Sequence, residues 1–320
     1  MIFRNRCPAC SRCDTHTVAD LPYGEAPIAT YLAEFYRAYP LCDFSPLFHA
    51  RFQLADCRHC GCIYQVQVPD DAFLTLFYGE GLAAGTTSTI TPVQTYQIEQ
   101  QVRELMMVVR FLQATVPHPR ILDFGAGDGA WAILAAAAGL KVAVSDLATH
   151  AFPRLAAHGI TGFRVDALPK EGFDFINTEQ VFEHLAQPAE VIQHLSRALR
   201  TGGVLKIGVP HDPRLRRKLR QPNWTAPKHS PASLNAVAPI EHLNHFEAAS
   251  MHALGACAGL ELLWVRGWGL VRTHDLVADG SLKRRASLWL KKRFGAVYSP
   301  YHALTQTWFF QKTVPDSQSG

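Results

Sequence analysis

Seven of the eight cysteines fall within the first 62 residues: Cys7, Cys10, Cys13, Cys42, Cys57, Cys60 and Cys62. Two pairs, Cys7-Pro-Ala-Cys10 and Cys57-Arg-His-Cys60, have the spacing of metal ligands. Two residues between thiolates let one tight turn aim both sulfurs at a single ion, and Gly61 after the second pair relaxes that turn. The expected set is Cys7, Cys10, Cys57 and Cys60, the four sulfurs of a tetrahedral zinc ion. A closed sulfur shell leaves no place for water, so the role is structural: the bonds hold a segment too small to fold on its own core. Cys13 and Cys62 sit close enough in sequence to replace a member of the set. A redox pair fits poorly, because neither pair opens a βαβ unit.

The second stretch with chemical content is "ILDFGAGDGAWA", residues 121–132. Gly125, Gly127 and Gly129 keep the backbone open so that a ligand can approach it closely. Asp146, closing "VAVSDL", is placed to accept hydrogen bonds from two ribose hydroxyls. A dinucleotide loop shares these features, and Ala130 permits that match. Asp123 separates the two: its carboxylate would repel a pyrophosphate but suits a cofactor carrying an ammonium and a sulfonium. That favours S-adenosylmethionine over NAD. Asp166, in "RVDALP", can accept from an adenine amino group.

These residues need a scaffold, and the patterning supplies one. Strands are expected at 120–124, 141–145, 173–177, 204–209, 261–266 and 305–311, with helices between them at 129–138, 188–200 and 248–258. Strands alternating with helices imply a mostly parallel sheet covered on both faces. Upstream, "CIYQVQV" reads as a strand and "PDDAFLTLFYGEG" as a short helix capped by its acidic pair, then a glycine-rich break. "TTSTITP" reads as a loop. Ile98, Val102, Leu105, Val109 and Leu112 mark one face of a longer helix. The expected blocks are a cysteine-rich module at 1–70, a helical linker and cofactor lid at 71–117, the sheet domain at 118–312 and a disordered tail at 313–320.

Composition sets the bounds. The 320 residues are 48% hydrophobic and 18% charged, as in an ordinary globular protein, and the net charge is +4. That charge is too mild for a nucleic-acid binder. Neither a signal peptide nor a run of about 18 apolar residues occurs, so a cytoplasmic protein with no transmembrane segment is expected.

Further motifs stand in register behind the glycines: "GFDFINTEQVFEHLAQP", "LSRALRTGGVLKIGVP" and "IEHLNHFEAASMHALGACAGLELLWVRGWG". On these the chain resembles the class I S-adenosylmethionine-dependent methyltransferases, in the branch similar to ubiquinone-biosynthesis enzymes. The head resembles the cysteine-rich module that precedes such domains in enzymes for natural products, sugars and surface glycans. The resemblance implies a Rossmann-like, seven-stranded α/β sheet with its last strand antiparallel, preceded by a zinc-ribbon-like module. It also implies a methionine loop at Asp123, Gly125, Ala126, Gly127 and Gly129. Ribose contacts would come from Asp146 and Leu147, adenine contacts from Asp166 and Ala167, and a methionine contact from Gln180. Relatives in that branch carry glutamate at the position of Gln180, where it can hold a divalent ion. With Gln180 here, Glu183 and His184 are expected only to fix their turn by hydrogen bonds.

Methyl transfer needs an acceptor held in line and, where its pKa is high, a base. The turn after "FDFI" lacks the Asp/Asn-Pro-Pro-aromatic pattern that grips an exocyclic amine, and Cys257 is the one cysteine beyond the head. Both points argue against base methylation of nucleic acid and leave a histidine acting on a hydroxyl or an acidic carbon. His211, His242 and His245 all follow the fifth strand, on a long proline-rich and basic loop expected to arch over the sheet's carboxyl ends. His242 and His245 are three apart, so in a first helical turn they would share a face. The basic stretch "SLKRRASLWLKKRFG" reads as a solvated helix, or as an attraction for an anionic acceptor. The expected activity is therefore S-adenosylmethionine-dependent methylation of a small molecule, sugar or glycan intermediate, O-methylation favoured. The alternatives are an RNA methyltransferase with a zinc module and a non-catalytic binding protein that kept the fold.

Overall fold

The structure is a computed structural model, and it describes residues 1–39, 42–77, 92–114, 116–228, 230–266, 269–271 and 305–313. The stretches "YGEG", "TTSTIT" and "SLKRRASLWLKKRFG", together with the tail from 314, lie outside the described residues. The chain forms two compact units. One comprises Met1–Ser88, Phe182–Ala189 and Pro210–Leu254, and the other Thr89–Val181, Glu190–Val209 and Gly255–Gly320. They are called here the cysteine-rich unit and the sheet unit.

The sheet unit contains eight strands: β1 (Arg120–Phe124), β2 (Lys141–Ser145), β3 (Thr161–Phe163), β4 (Phe173–Glu179), β5 (Leu199–Pro210), β6 (Leu260–Arg266), β7 (Gly269–Val271) and β8 (Thr305–Lys312). Their order is β7-β6-β8-β5-β4-β1-β2-β3. β1 pairs parallel with β2 and β4, β2 with β3, and β4 with β5. β8 lies between β5 and β6 and runs antiparallel to β6. This is the seven-stranded sheet with an antiparallel last strand, extended by the short β7, which forms a hairpin with β6.

Burial runs unbroken from Phe173 to Thr178 along β4. A strand buried without alternation is stable only where both sheet faces are covered. The cover includes Trp131, Ala132 and Ala135 of the helix Ala130–Ala137, and Leu105, Val108, Val109 and Leu112 of the helix Pro92–Gln113. Of the five residues expected on one face of that long helix, Ile98 and Val102 are exposed. Among its described side chains, the buried ones begin at Leu105. The strand order reverses between β1 and β4, which leaves a crevice at the carboxyl end of β1.

The cysteine-rich unit has a four-stranded antiparallel sheet in the order Asn244–His245, Ile63–Gln65, Arg51–Cys57, Thr15–Pro22. Its core joins Tyr23, Phe52, Leu54 and Ile63 of the head with Leu215, Leu219, Trp224, Val237 and Ile240. Phe52 and Trp224 meet edge to face at 5.1 Å. The head therefore extends beyond residue 70 and shares its fold with the long segment after β5. The reason is size: about 70 residues bury too little apolar surface alone. Asp70 caps the short helix Asp71–Leu76 by accepting from the Phe73 amide at 3.0 Å, as its acidic start predicts.

Candidate functional site

In the sheet unit β1 delivers Asp123 and Phe124 and then breaks into the glycine loop. Gly125, Gly127 and Gly129 all have positive φ, at 75°, 55° and 79°. A Cβ on Gly125 would run into Val181 and one on Gly129 into Leu155, whereas one on Gly127 would meet nothing within 4 Å. Gly127 is thus required for its backbone conformation and for the open space before it. Asp146 closes the loop: its Oδ2 accepts from the Gly127 amide at 2.8 Å and its Oδ1 from the Ala148 amide at 2.9 Å. A carboxylate offers about four acceptor positions, so capacity for hydroxyl donors remains.

Beside this loop lies a cavity of about 530 Å³, lined among others by Phe124, Asp146, Leu147, Arg164, Asp166 and His194. The fold thereby brings Asp146, Leu147 and Asp166 to one cleft. Asp166 is engaged by the Arg164 guanidinium at 3.1 and 3.2 Å, which holds its carboxyl below the usual range. Ala167 ends the single turn Val165–Ala167, and Ala126 lies between the first two glycines. Gln180 is exposed with φ 55°, its amide donating to the Gly208 carbonyl at 2.8 Å.

Asp123 is almost fully buried, and burial pushes its carboxyl up to about 6. The Asn177 amide, donating at 2.7 Å, and the charge of Lys206 pull the other way. Lys206 projects from the middle of β5 and is held between Glu104 and Glu179, each at 2.6 Å. Burial works against its charge, but the two carboxylates outweigh burial and the net shift is upward. Asn177, Lys206 and its acids are absent from the sequence reading. The signal was the lysine in "GVLKIGVP", since a charge in a strand buried on both faces must be paired.

The histidines belong to the cysteine-rich unit. Asn244 and His245 form a strand paired to Tyr64 and Ile63, so the expected helical turn is absent. The reason is the free edge of Ile63–Gln65, whose backbone groups are satisfied by extended chain. Residues three apart in extended chain face opposite sides. His245 accordingly stacks on His211, centroids 5.8 Å apart, while His242 meets His184 edge to face at 5.1 Å. The His245 Nε2 accepts from the Asp212 amide at 3.3 Å, which places its hydrogen on Nδ1. Burial depresses His245 and His242 to about 3 and lowers His211 as well. The His211 Nδ1 is buried without a hydrogen-bond partner among the described residues.

The cysteines converge as the spacing requires. Cys7 and Cys60 sulfurs lie 3.5 Å apart, those of Cys10 and Cys57 3.6 Å, and all four within 4.8 Å of one another. Tetrahedral bonds of about 2.3 Å to zinc separate sulfurs by a little under 4 Å, so the set fits the ion. Cys13 is exposed and Cys62 buried beside the cluster. Arg4, unnoticed in the sequence, is the buried hub of this region: it donates to the carbonyls of Gln65, Leu243 and Ala186 and to the Asn244 side chain. Its charge also faces Cys7 and Cys62.

Residues 96–265, more than half of the chain, match the methyltransferase domain family. No curated protein matches the chain. Among solved structures it is similar to phosphoethanolamine N-methyltransferase 2 of Haemonchus contortus, bound to S-adenosylmethionine, at 16% identity and a TM-score of 0.42. That match covers 72% of this chain and 61% of the other, so the chain spans less than two thirds of that enzyme's length. Similarity to a 1,6-didemethyltoxoflavin N1-methyltransferase of Burkholderia thailandensis is 13% identity at 0.41, covering 72% and 94% of the two chains. For a putative sarcosine dimethylglycine methyltransferase of Galdieria sulphuraria it is 16% at 0.40, covering 69% and 85%. Likenesses this distant leave the acceptor open, and the assignment rests on the family match and the glycine loop. The chain belongs to the methyltransferase domain family.

Proposed function

We propose that the protein transfers a methyl group to a hydroxyl of a small molecule, sugar or glycan intermediate in the cytoplasm, and that the acceptor is anionic. The reading is carried by the cleft in which the glycine loop, closed by Asp146, adjoins Leu147 and Asp166. In this reading Asp123 faces the cofactor's ammonium, Gly125, Ala126, Gly127, Gly129 and Gln180 line its methionine part, and Asp146 and Leu147 hold the ribose. Asp166 and Ala167 hold the adenine. The sulfonium is already a strong donor, so the protein's task is alignment and proton removal.

His211 is the proposed base. Its Nδ1, without a hydrogen-bond partner among the described residues, and its place directly after β5 support the choice. His245 is a poor candidate, because its accepting nitrogen is occupied and a group near 3 is a weak base at pH 7. The four cysteines hold a structural zinc ion, supported by their mutual distances. Exposed Arg214, Arg217 and Arg220 on the segment after β5 support an anionic acceptor. The test is labelled-methyl transfer to a panel of nucleotide sugars, phosphorylated glycans, phenols and RNA. Labelling of RNA alone, or of nothing despite cofactor binding, overturns the proposal.

A further inference from the structure

Arg4 is a buried cation whose hydrogen bonds, among the described residues, all end on neutral atoms. The strand Ile2–Phe3 pairs with Gln67–Val68, and the Arg4 amide donates to the Val66 carbonyl at 2.8 Å. That pairing sets Arg4 beside the strand Ile63–Gln65, which follows the second cysteine pair. A guanidinium has five N–H donors, and here all five are used. Nε and one Nη2 hydrogen go to the Gln65 carbonyl, and the other Nη2 hydrogen to the Leu243 carbonyl at 2.8 Å. The two on Nη1 go to the Ala186 carbonyl at 3.1 Å and to the Asn244 side-chain oxygen at 2.8 Å. These acceptors satisfy the donors and leave the positive charge unbalanced, in a residue only 8% exposed.

A buried charge needs an opposite one close by. The Tyr64 ring, its centroid 5.2 Å from the guanidinium carbon, offers a π face but no net charge, since burial pushes its phenol up to about 12. The other groups that Arg4 faces are the thiols of Cys7 and Cys62. The Cys7 sulfur lies 3.5 Å from that of Cys60, inside the four-cysteine cluster. A divalent ion held by four thiolates leaves two negative charges in excess. We infer that Arg4 is the counter-cation of the four-cysteine metal site and sets the affinity of that site for its ion. The guanidinium balances the excess thiolate charge, and the loaded site supplies the anion that Arg4 lacks among its hydrogen-bond partners. The inference rests on the zinc reading and adds to it a positioning residue outside the ligand set. Hydrogen bonds hold Arg4 in place, and its charge is what reaches the metal.

The experiment measures zinc affinity of the full-length protein by competition with a chromogenic chelator. Arg4→Gln keeps amide donors and removes the charge, whereas Arg4→Lys keeps the charge with three donors at most. Arg4→Gln should bind zinc about 10- to 100-fold more weakly than wild type, the usual range for outer partners of a metal site. Arg4→Lys should stay within about threefold of wild type. In a Cys10→His background the ligand set carries one thiolate fewer, so half the excess charge remains. Coulomb energy scales with charge, and Arg4→Gln should there cost only about 3- to 10-fold. Wild-type affinity in Arg4→Gln overturns the inference. So does Arg4→Lys as impaired as Arg4→Gln, whether in affinity or in folding, because hydrogen bonding alone would then be the contribution of Arg4. Failure of the zinc reading looks different: wild type itself would take up no zinc from the chelator.

Discussion

The two units solve the same problem, burying chemistry in a small volume, by opposite means. The sheet unit packs its strands around a mainly apolar core, and its glycine loop follows directly from β1. The cysteine-rich unit, assembled like the sheet unit from three chain segments, places buried Arg4, Gln65, Asn244 and two histidines among its hydrophobic core. One is stabilised mainly by area removed from water, the other by directed bonds that fail together if a partner is lost.

The largest expected effect tests that contrast directly. Zinc bonds contribute on the order of ten kcal/mol to small metal domains. Cys57→Ser or Cys60→Ser should therefore lose one zinc per chain by elemental analysis and abolish the melting transition of the cysteine-rich unit. S-adenosylhomocysteine should still bind the sheet unit, as read by calorimetry. Loss of that binding as well would mean that the two units do not stand independently.

Next in size is the base. His211→Ala should reduce turnover by a factor of about 10² to 10⁴ with cofactor affinity nearly unchanged. His245→Ala should act more weakly on turnover, since its accepting nitrogen already holds the Asp212 amide. Near-normal turnover in His211→Ala would leave alignment as the sole contribution of the protein.

Asp146→Ala should weaken S-adenosylhomocysteine binding at least about tenfold, through lost hydroxyl bonds and the release of Gly127 from its carboxylate. Asp146→Asn keeps one acceptor oxygen and should fall between the two. Equal affinity in all three proteins would remove Asp146 from the cofactor site.

The smallest effect is one of pH. Burial raises Asp123 to about 6, so between pH 4 and 6 the folded chain holds a proton that the unfolded chain releases. Its contribution to stability is present at low pH and lost as pH rises through 6. If Asp123 faces the cofactor's ammonium as proposed, binding requires the ionised form. Affinity should then be about tenfold weaker at pH 5 than at pH 7, with roughly a tenth of the carboxyl ionised at the lower value. Calorimetry at pH 5, 6 and 7 checks this, and Asp123→Asn should flatten the profile.

The sheet unit was legible because its signals are local. Every expected strand is present, with shifts at the ends that reach five residues only at the start of β5. The glycine loop could be read because positive φ restricts residue type position by position. Face assignment on the helix Pro92–Gln113 succeeded for Leu105, Val109 and Leu112 and failed for Ile98 and Val102, since periodicity marks a face without saying how far it is covered.

By itself, then, the sequence determined the positions of the sheet strands along the chain, the glycine loop and the cysteine pairs, since each rests on spacing within a few residues. Tertiary structure alone decided what the long segment after β5 does. It supplies part of the core of the cysteine-rich unit, through Leu215, Leu219, Trp224, Leu234, Val237 and Ile240. It also sorted the histidines, stacking His245 on His211 and sending His242 to His184 and Glu183. Pairing of that kind depends on which strand edge was left open, Ile63–Gln65, and an open edge has no signature in the residues that will later cover it.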